Sequence, residues 1–195
     1  MKLFSFSAAV DRPARIDTIK ALMWGLIWFI FATIFMWYFR LVPRSAFTAG
    51  VSGYVPLWGV LLLHASVWVS AGAVMFALAA IVGRSVKMGD IMGRVLYARA
   101  PFYLLLVPLA WTRFRVPFSV LMYDPAAAVQ AYSGMVVPYL IFAALIAVWW
   151  LVWNYKAFVA AAHRRSVLVA AAFAVSLPLS YLLSAAVAEA LLRSW

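Results

Sequence analysis

The sequence predicts an all-α fold: a polytopic membrane helix bundle with about five transmembrane helices. Two observations carry this. Of the 195 residues, 69% are hydrophobic and 11% charged, with a mean hydropathy of +1.03, whereas a soluble domain is about half apolar and about a quarter charged. The apolar residues also gather into stretches near the roughly 20 residues that a bilayer crossing needs, separated by short basic connections. Five such stretches leave room for a 20-residue N-terminal segment and a transmembrane domain over 21–195, with no separate soluble domain.

Residues 1–20 open with LFSFSAAV, too short an apolar run for a signal peptide, and continue as DRPARIDTIK. Asp11 followed by Pro13 suits the start of a short interfacial helix on the cytoplasmic surface, carrying Arg12, Arg15 and Lys20. The first span, 21–39, has no charge and is rich in aromatic residues such as Trp24, Trp28, Phe29 and Phe31, which suits lipid or an interfacial belt. Arg40 and Arg44 close it, and Pro43, Gly50 and Gly53 mark a loop.

The second span is 57–82, introduced by Pro56. Ser66, Ser70, Ala73, Ala77 and Ala80 give it a small-residue face for close helix packing. The third, 95–111, is the weakest, because Pro101 and Pro108 interrupt it and Arg99 lies in its first turns. A central arginine costs about 2.5 to 3.5 kcal/mol, so Arg99 is expected to snorkel to the near surface; a kinked or re-entrant path is the alternative. An interfacial loop with one short helix follows over 112–134, with Asp124 as an N-cap ahead of Pro125.

The fourth span, 136–153, places Ile146, Trp149, Trp150 and Trp153 on one face, which reads as an aromatic belt. The fifth, 167–192, has a ridge of Ala172, Ser176, Ser180, Ser184 and Ala188 at every fourth position, with Pro178 beside it. Ser176, Ser180 and Ser184 are its candidate helix-packing residues.

The 16 Lys and Arg against 5 acids, a formal +11, are distributed over loops and not gathered into a stripe, which fits anionic head groups and excludes nucleic acid as the natural partner. Eleven of them (Lys2, Arg12, Arg15, Lys20, Arg84, Lys87, Arg94, Arg99, Lys156, Arg164, Arg165) fall on one side of the five-span plan, against Arg40, Arg44, Arg113, Arg115 and Arg193 on the other. This bias predicts a cytoplasmic N-terminus and an external C-terminus, in the plasma (inner) membrane if the chain is prokaryotic. Arg84, Lys87, Arg94 and Arg99, interleaved with apolar residues, are expected to touch head groups or a partner.

No nucleotide or zinc-protease motif is present, and the G-x-x-x-G of Gly89 and Gly93 lies in a polar loop. The absence of cysteine excludes disulfides and thiolate metal sites. His64 and Glu189 are the polar intramembrane candidates, but Glu189 suits an i, i+4 pair with Arg193, and His64 suits a bond to a neighbouring helix. Their expected depths bring neither together with Arg99, so no catalytic, cofactor or metal site is expected.

Three stretches, DRPARIDTIKAL, VGRSVKMGDIMGRVLYARAPFYLLLVP and WWLVWNYKAFVAAAHRRSVLVAAAFAVSLPL, resemble the Yip1-domain family of small multi-span membrane proteins, particularly its prokaryotic members. The resemblance implies a five-helix protein without catalysis. Together with the packing ridge, it points to a non-enzymatic scaffold or assembly partner that needs no cofactor and works with a membrane-protein partner or as a homo-oligomer. The alternative is a component of a transporter or channel, with helices broken at Pro101, Pro108 and Pro178.

Overall fold

The computed structural model describes residues 11, 13–51 and 53–194. It is an all-α membrane bundle whose only strands among these residues form one small hairpin. Lys2 and Arg12, used in the charge count, lie outside the described residues.

Four helices are long and apolar enough to cross a membrane: α1 (Thr18–Tyr38), α2 (Leu57–Val82), α6 (Pro125–Ala162) and α7 (Val167–Arg193). Between α2 and α6 lie α3 (Met88–Ala98), a single turn α4 (Ala100–Tyr103), two 3₁₀ turns (Leu104–Leu106 and Pro108–Ala110) and α5 (Thr112–Tyr123). The count is therefore four continuous apolar helices, and the expected third span over 95–111 is not one helix. Its prolines are the reason: each lacks an N–H and crowds the carbonyl four residues back, so the chain tightens into short turns at Pro101 and Pro108.

The broken segment nevertheless runs the length of α1. At one end the Thr18 hydroxyl bonds the Asp90 carboxylate; at the other, Arg115 donates to the Phe39 carbonyl at 2.6 Å. α1 and α3 touch through glycine. A Cβ on Gly25 would stand 2.8 Å from Leu96 Cγ and 2.9 Å from the Tyr97 amide nitrogen, and one on Gly93 would meet Leu22 and the Thr18 carbonyl at 3.3 Å.

The expected loop after α1 contains the hairpin, β1 (Leu41–Pro43) antiparallel to β2 (Ala49–Val51). Leu41, Val42 and Ala46 are buried, so the loop is packed inside the bundle and not laid on its surface. The expected connection over 112–134 is also helical. α5 fills its first half, and α6 begins at Pro125 behind Asp124, whose carboxylate accepts from the Ala127 amide at 3.0 Å. α6 continues for 38 residues with one backbone break at Tyr132.

On α7 the ridge Ala172, Ser176, Ser180, Ser184 and Ala188 is buried along its length, and the Ser180 hydroxyl donates to the Ala71 carbonyl of α2 at 3.3 Å. The face of α2 that meets the bundle is Val60, Leu63, His64, Val67, Ala71, Met75 and Ala79. Of the small-residue face expected there, Ser70 is buried while Ala77 and Ala80 are exposed. Met75 is buried beside the small residues Ala71, Gly72 and Ala79 of its own helix, and α7 brings its small ridge to the same helix. The aromatic face of α6 is corrected in part: Trp149 is exposed, but Ile146 and Trp153 are buried, and Trp153 stacks on Tyr97 with ring centroids 5.3 Å apart. Ile141, Leu145 and Val148 are the more exposed positions on α6.

The glycine contact generates a test. Gly25→Ala should lower stability by about 1 to 3 kcal/mol, because backbone of α3 stands where the methyl would go. Gly89→Ala, with open space around it, should be neutral or slightly stabilising. Thermal unfolding of both variants in detergent measures the difference, and equal stability would remove Gly25 as the α1–α3 contact.

Candidate functional site

The break at Pro101 leaves backbone carbonyls at the end of α3 without partners inside their own helix. Asn154, buried on α6, donates to one of them, Ala98, at 3.4 Å, and to the Trp150 carbonyl at 2.9 Å. Its position inside WWLVWNY was the available signal, since an amide in an apolar run needs a partner. The chain then passes Arg99 and Tyr103, which the tight turns direct into the bundle.

Arg99 is 4% exposed. It does not snorkel to the head groups: its guanidinium donates to the Ala46 carbonyl at 2.6 Å and lies 5.8 Å from the Phe102 ring centroid. The expectation of head-group contact at Arg99 is therefore corrected, because the hairpin tip offers a carbonyl closer than the surface. The Ala46 amide on the other side of the same residue donates to Ser184 Oγ of α7 at 2.7 Å. One residue of the hairpin thus joins the broken segment to the last helix. Ser184 completes its own bonding by donating to the Tyr181 carbonyl at 3.1 Å.

His64 lies in the same centre. Its Nδ1 is 2.8 Å from Thr33 Oγ1, its Nε2 is 3.2 Å from the Tyr103 hydroxyl, and its ring stacks on Phe29 at 4.1 Å. Counting hydrogens fixes the arrangement. Thr33 has one hydroxyl proton and donates it to the Phe29 carbonyl at 2.8 Å, so Nδ1–H donates to Thr33. Nε2 then accepts from Tyr103 O–H, and the imidazole is neutral with every nitrogen used. His64 and Arg99 are therefore brought together through Tyr103, which the expected depths did not anticipate.

The other candidates are elsewhere. Glu189 pairs with Arg193 on the exposed end of α7. Ser176 bonds only its own helix, donating to the Phe173 carbonyl at 2.6 Å. Arg84 and Lys87 are exposed, and the Arg84 amide donates to the Ala162 carbonyl at 3.0 Å, which joins the two basic loops. Arg94 is half-buried and donates to the carbonyls of Pro13 and Ala14 at 2.9 and 3.2 Å, holding the N-terminal segment against α3. Among the described residues no group of three His, Cys, Asp or Glu side chains comes together to hold a metal.

The centre is a set of hydrogen bonds that join separate elements of the bundle, in which Arg99 Nε is buried without a partner. Two serines of α7, Ser184 in the centre and Ser176 outside it, should differ on truncation. Ser184→Ala leaves the buried Ala46 N–H without an acceptor and should cost about 1 to 3 kcal/mol. Ser176→Ala, which strands no partner on another element, should cost less than about 0.5 kcal/mol. Thermal unfolding in detergent compares them; equal losses would show that the Ala46 bond contributes nothing.

No protein-family model matches the chain, and neither does any curated protein or any solved structure.

Proposed function

We propose that this protein is a non-enzymatic integral membrane scaffold of the Yip1 type, an assembly partner that acts through its outer helix faces and its basic loops. The observation that carries this reading is that the polar groups of the centre serve to join one element to another. Arg99 donates to Ala46, Ser184 accepts from Ala46, and His64 bonds both Thr33 and Tyr103, so these side chains hold the bundle together. What remains available to a partner is the outside, above all the face of α6 with Ile141, Leu145 and Val148 exposed.

In this reading the N-terminus is cytoplasmic and the C-terminus external, with the broken segment making a crossing of its own. The basic loops support it by lying at one end: Arg84 meets Ala162, Arg94 meets Pro13, and Lys156 pairs with Asp11. Positive charge concentrated at one end is the signature of a cytoplasmic face, here the inner face of a prokaryotic plasma membrane.

A second reading, a transporter or channel component, is favoured by one observation: a helix broken at mid-bundle beside a buried arginine that has no carboxylate partner. In it the 99–111 segment would open a path.

Two measurements separate these readings. A photo-crosslinking side chain at Leu145 should give discrete protein adducts in native membranes under the scaffold reading; solute flux from liposomes containing the protein alone, with lipid adducts only, would replace it with the transporter reading. For the topology, Ser85→Cys should react with an impermeant reagent only from the cytoplasmic side and Tyr54→Cys only from outside. Labelling of both from one side would overturn the proposed orientation.

A further inference from the structure

The connection between α6 and α7 forms a basic pocket on the outside of the bundle. α6 ends at His163, whose left-handed backbone (φ 50°) turns the chain sharply. α7 starts behind Ser166, whose hydroxyl accepts from the Val169 amide at 3.3 Å. Between the two helices is a cavity of about 770 Å³, lined by Lys156, His163, Arg164 and Arg165 together with Tyr155 and Val159. Val167 and Leu168 beside it are 85% and 62% exposed.

Charge is unbalanced here. Lys156, Arg164 and Arg165 line the cavity, and the one carboxylate paired to any of them is that of Asp11, held by Lys156. Asp11 reports the local field: the hydrogen bond from Lys156, opposed by burial, and then the charges of Lys156, Arg15 and Arg165 hold its carboxyl below the usual value. Arg164 reaches only the Val82 carbonyl, at 3.5 Å. The first turn of α7 carries no acidic residue, so its amide end adds to the positive potential.

We infer that this pocket is a binding site for one anionic phospholipid, with the phosphate between Lys156, Arg164 and Arg165 and the acyl chains along the groove between α6 and α7. Two features select a lipid over a soluble anion. The cations lie at the end of the bundle, where the apolar surfaces of the two helices begin, and the apolar Val159, Val167 and Ala170 line the same cavity. Charge complementarity selects an anionic lipid over a zwitterionic one, because each basic residue near the phosphate contributes and the adjacent choline or ethanolamine of a zwitterion would be repelled. The site is distinct from the loop of Arg84 and Lys87. It requires only that the chain be integral to a membrane, so it stands or falls separately from the scaffold reading, which the Leu145 crosslinks test.

Native mass spectrometry of the delipidated full-length protein, titrated with phosphatidylglycerol or phosphatidylcholine, tests the assignment. The expected result is one retained phosphatidylglycerol, weakened roughly 30-fold by Arg164→Gln with Arg165→Gln, kept by the paired lysine variant, and unchanged by Arg40→Gln with Arg113→Gln at the opposite end. Should the glutamine pair not fold, Arg165→Gln alone, at an exposed position, carries the same comparison with a smaller shift. Equal retention of the two lipids, or equal weakening by the two glutamine pairs, overturns the site. Displacement of the lipid by an equal concentration of glycerol 3-phosphate would assign the pocket to a soluble anion and overturn the lipid proposal.

Discussion

A single peptide residue, Ala46, ties together by hydrogen bonds the hairpin, the broken segment and the last helix, which also share one apolar cluster. Its carbonyl takes the guanidinium of Arg99 and its amide takes the hydroxyl of Ser184. Ala46 and Arg99 are both buried in the bundle, where a backbone amide or a guanidinium left alone would cost several kcal/mol. The hairpin enters the bundle, α7 presents a small hydroxyl at position 184, and the third hydrophobic segment, broken at its prolines, turns Arg99 inward. These three departures from a plain helical bundle meet at that one residue.

The same constraint explains why polar groups are concentrated on the broken segment and its neighbours. Ending a helix inside the hydrocarbon frees carbonyls, and the free ones must be met by side chains. Asn154 meets Ala98 and Arg115 meets Phe39, while the chain from Tyr103 through His64 and Thr33 ends on the Phe29 carbonyl. The result is a bundle whose outside is ordinary lipid-facing apolar surface and whose middle is a bonded polar layer.

Local pattern made much of this legible. The α2 and α7 boundaries follow from the apolar runs and their flanking Pro56 and Ser166, the Asp124 cap from its neighbour Pro125, and the α7 ridge from its period of four. What local pattern does not contain is direction. Hydropathy places Arg99 in a membrane segment but cannot say whether it turns to the surface or to a carbonyl 53 residues earlier. The small-residue face of α2 differs for a related reason, since spacing alone does not say which small residues turn inward: Ser70, Ala71 and Ala79 do, whereas Ala77 and Ala80 do not. Gly93 was set aside for lying in a basic loop, yet it faces Leu22, because α3 begins inside that loop and carries it against α1.

The Ala46–Ser184 bond spans 138 positions of sequence. A ribosome delivers the hairpin early and Ser184 last of all the groups that hold it, so during synthesis the Ala46 amide has no acceptor of its own within the helices already made. Arg99 meets its carbonyl well before that. The hairpin is thus held on one side through most of insertion and on both only when α7 arrives, and completion of the last helix is the event that closes the molecule.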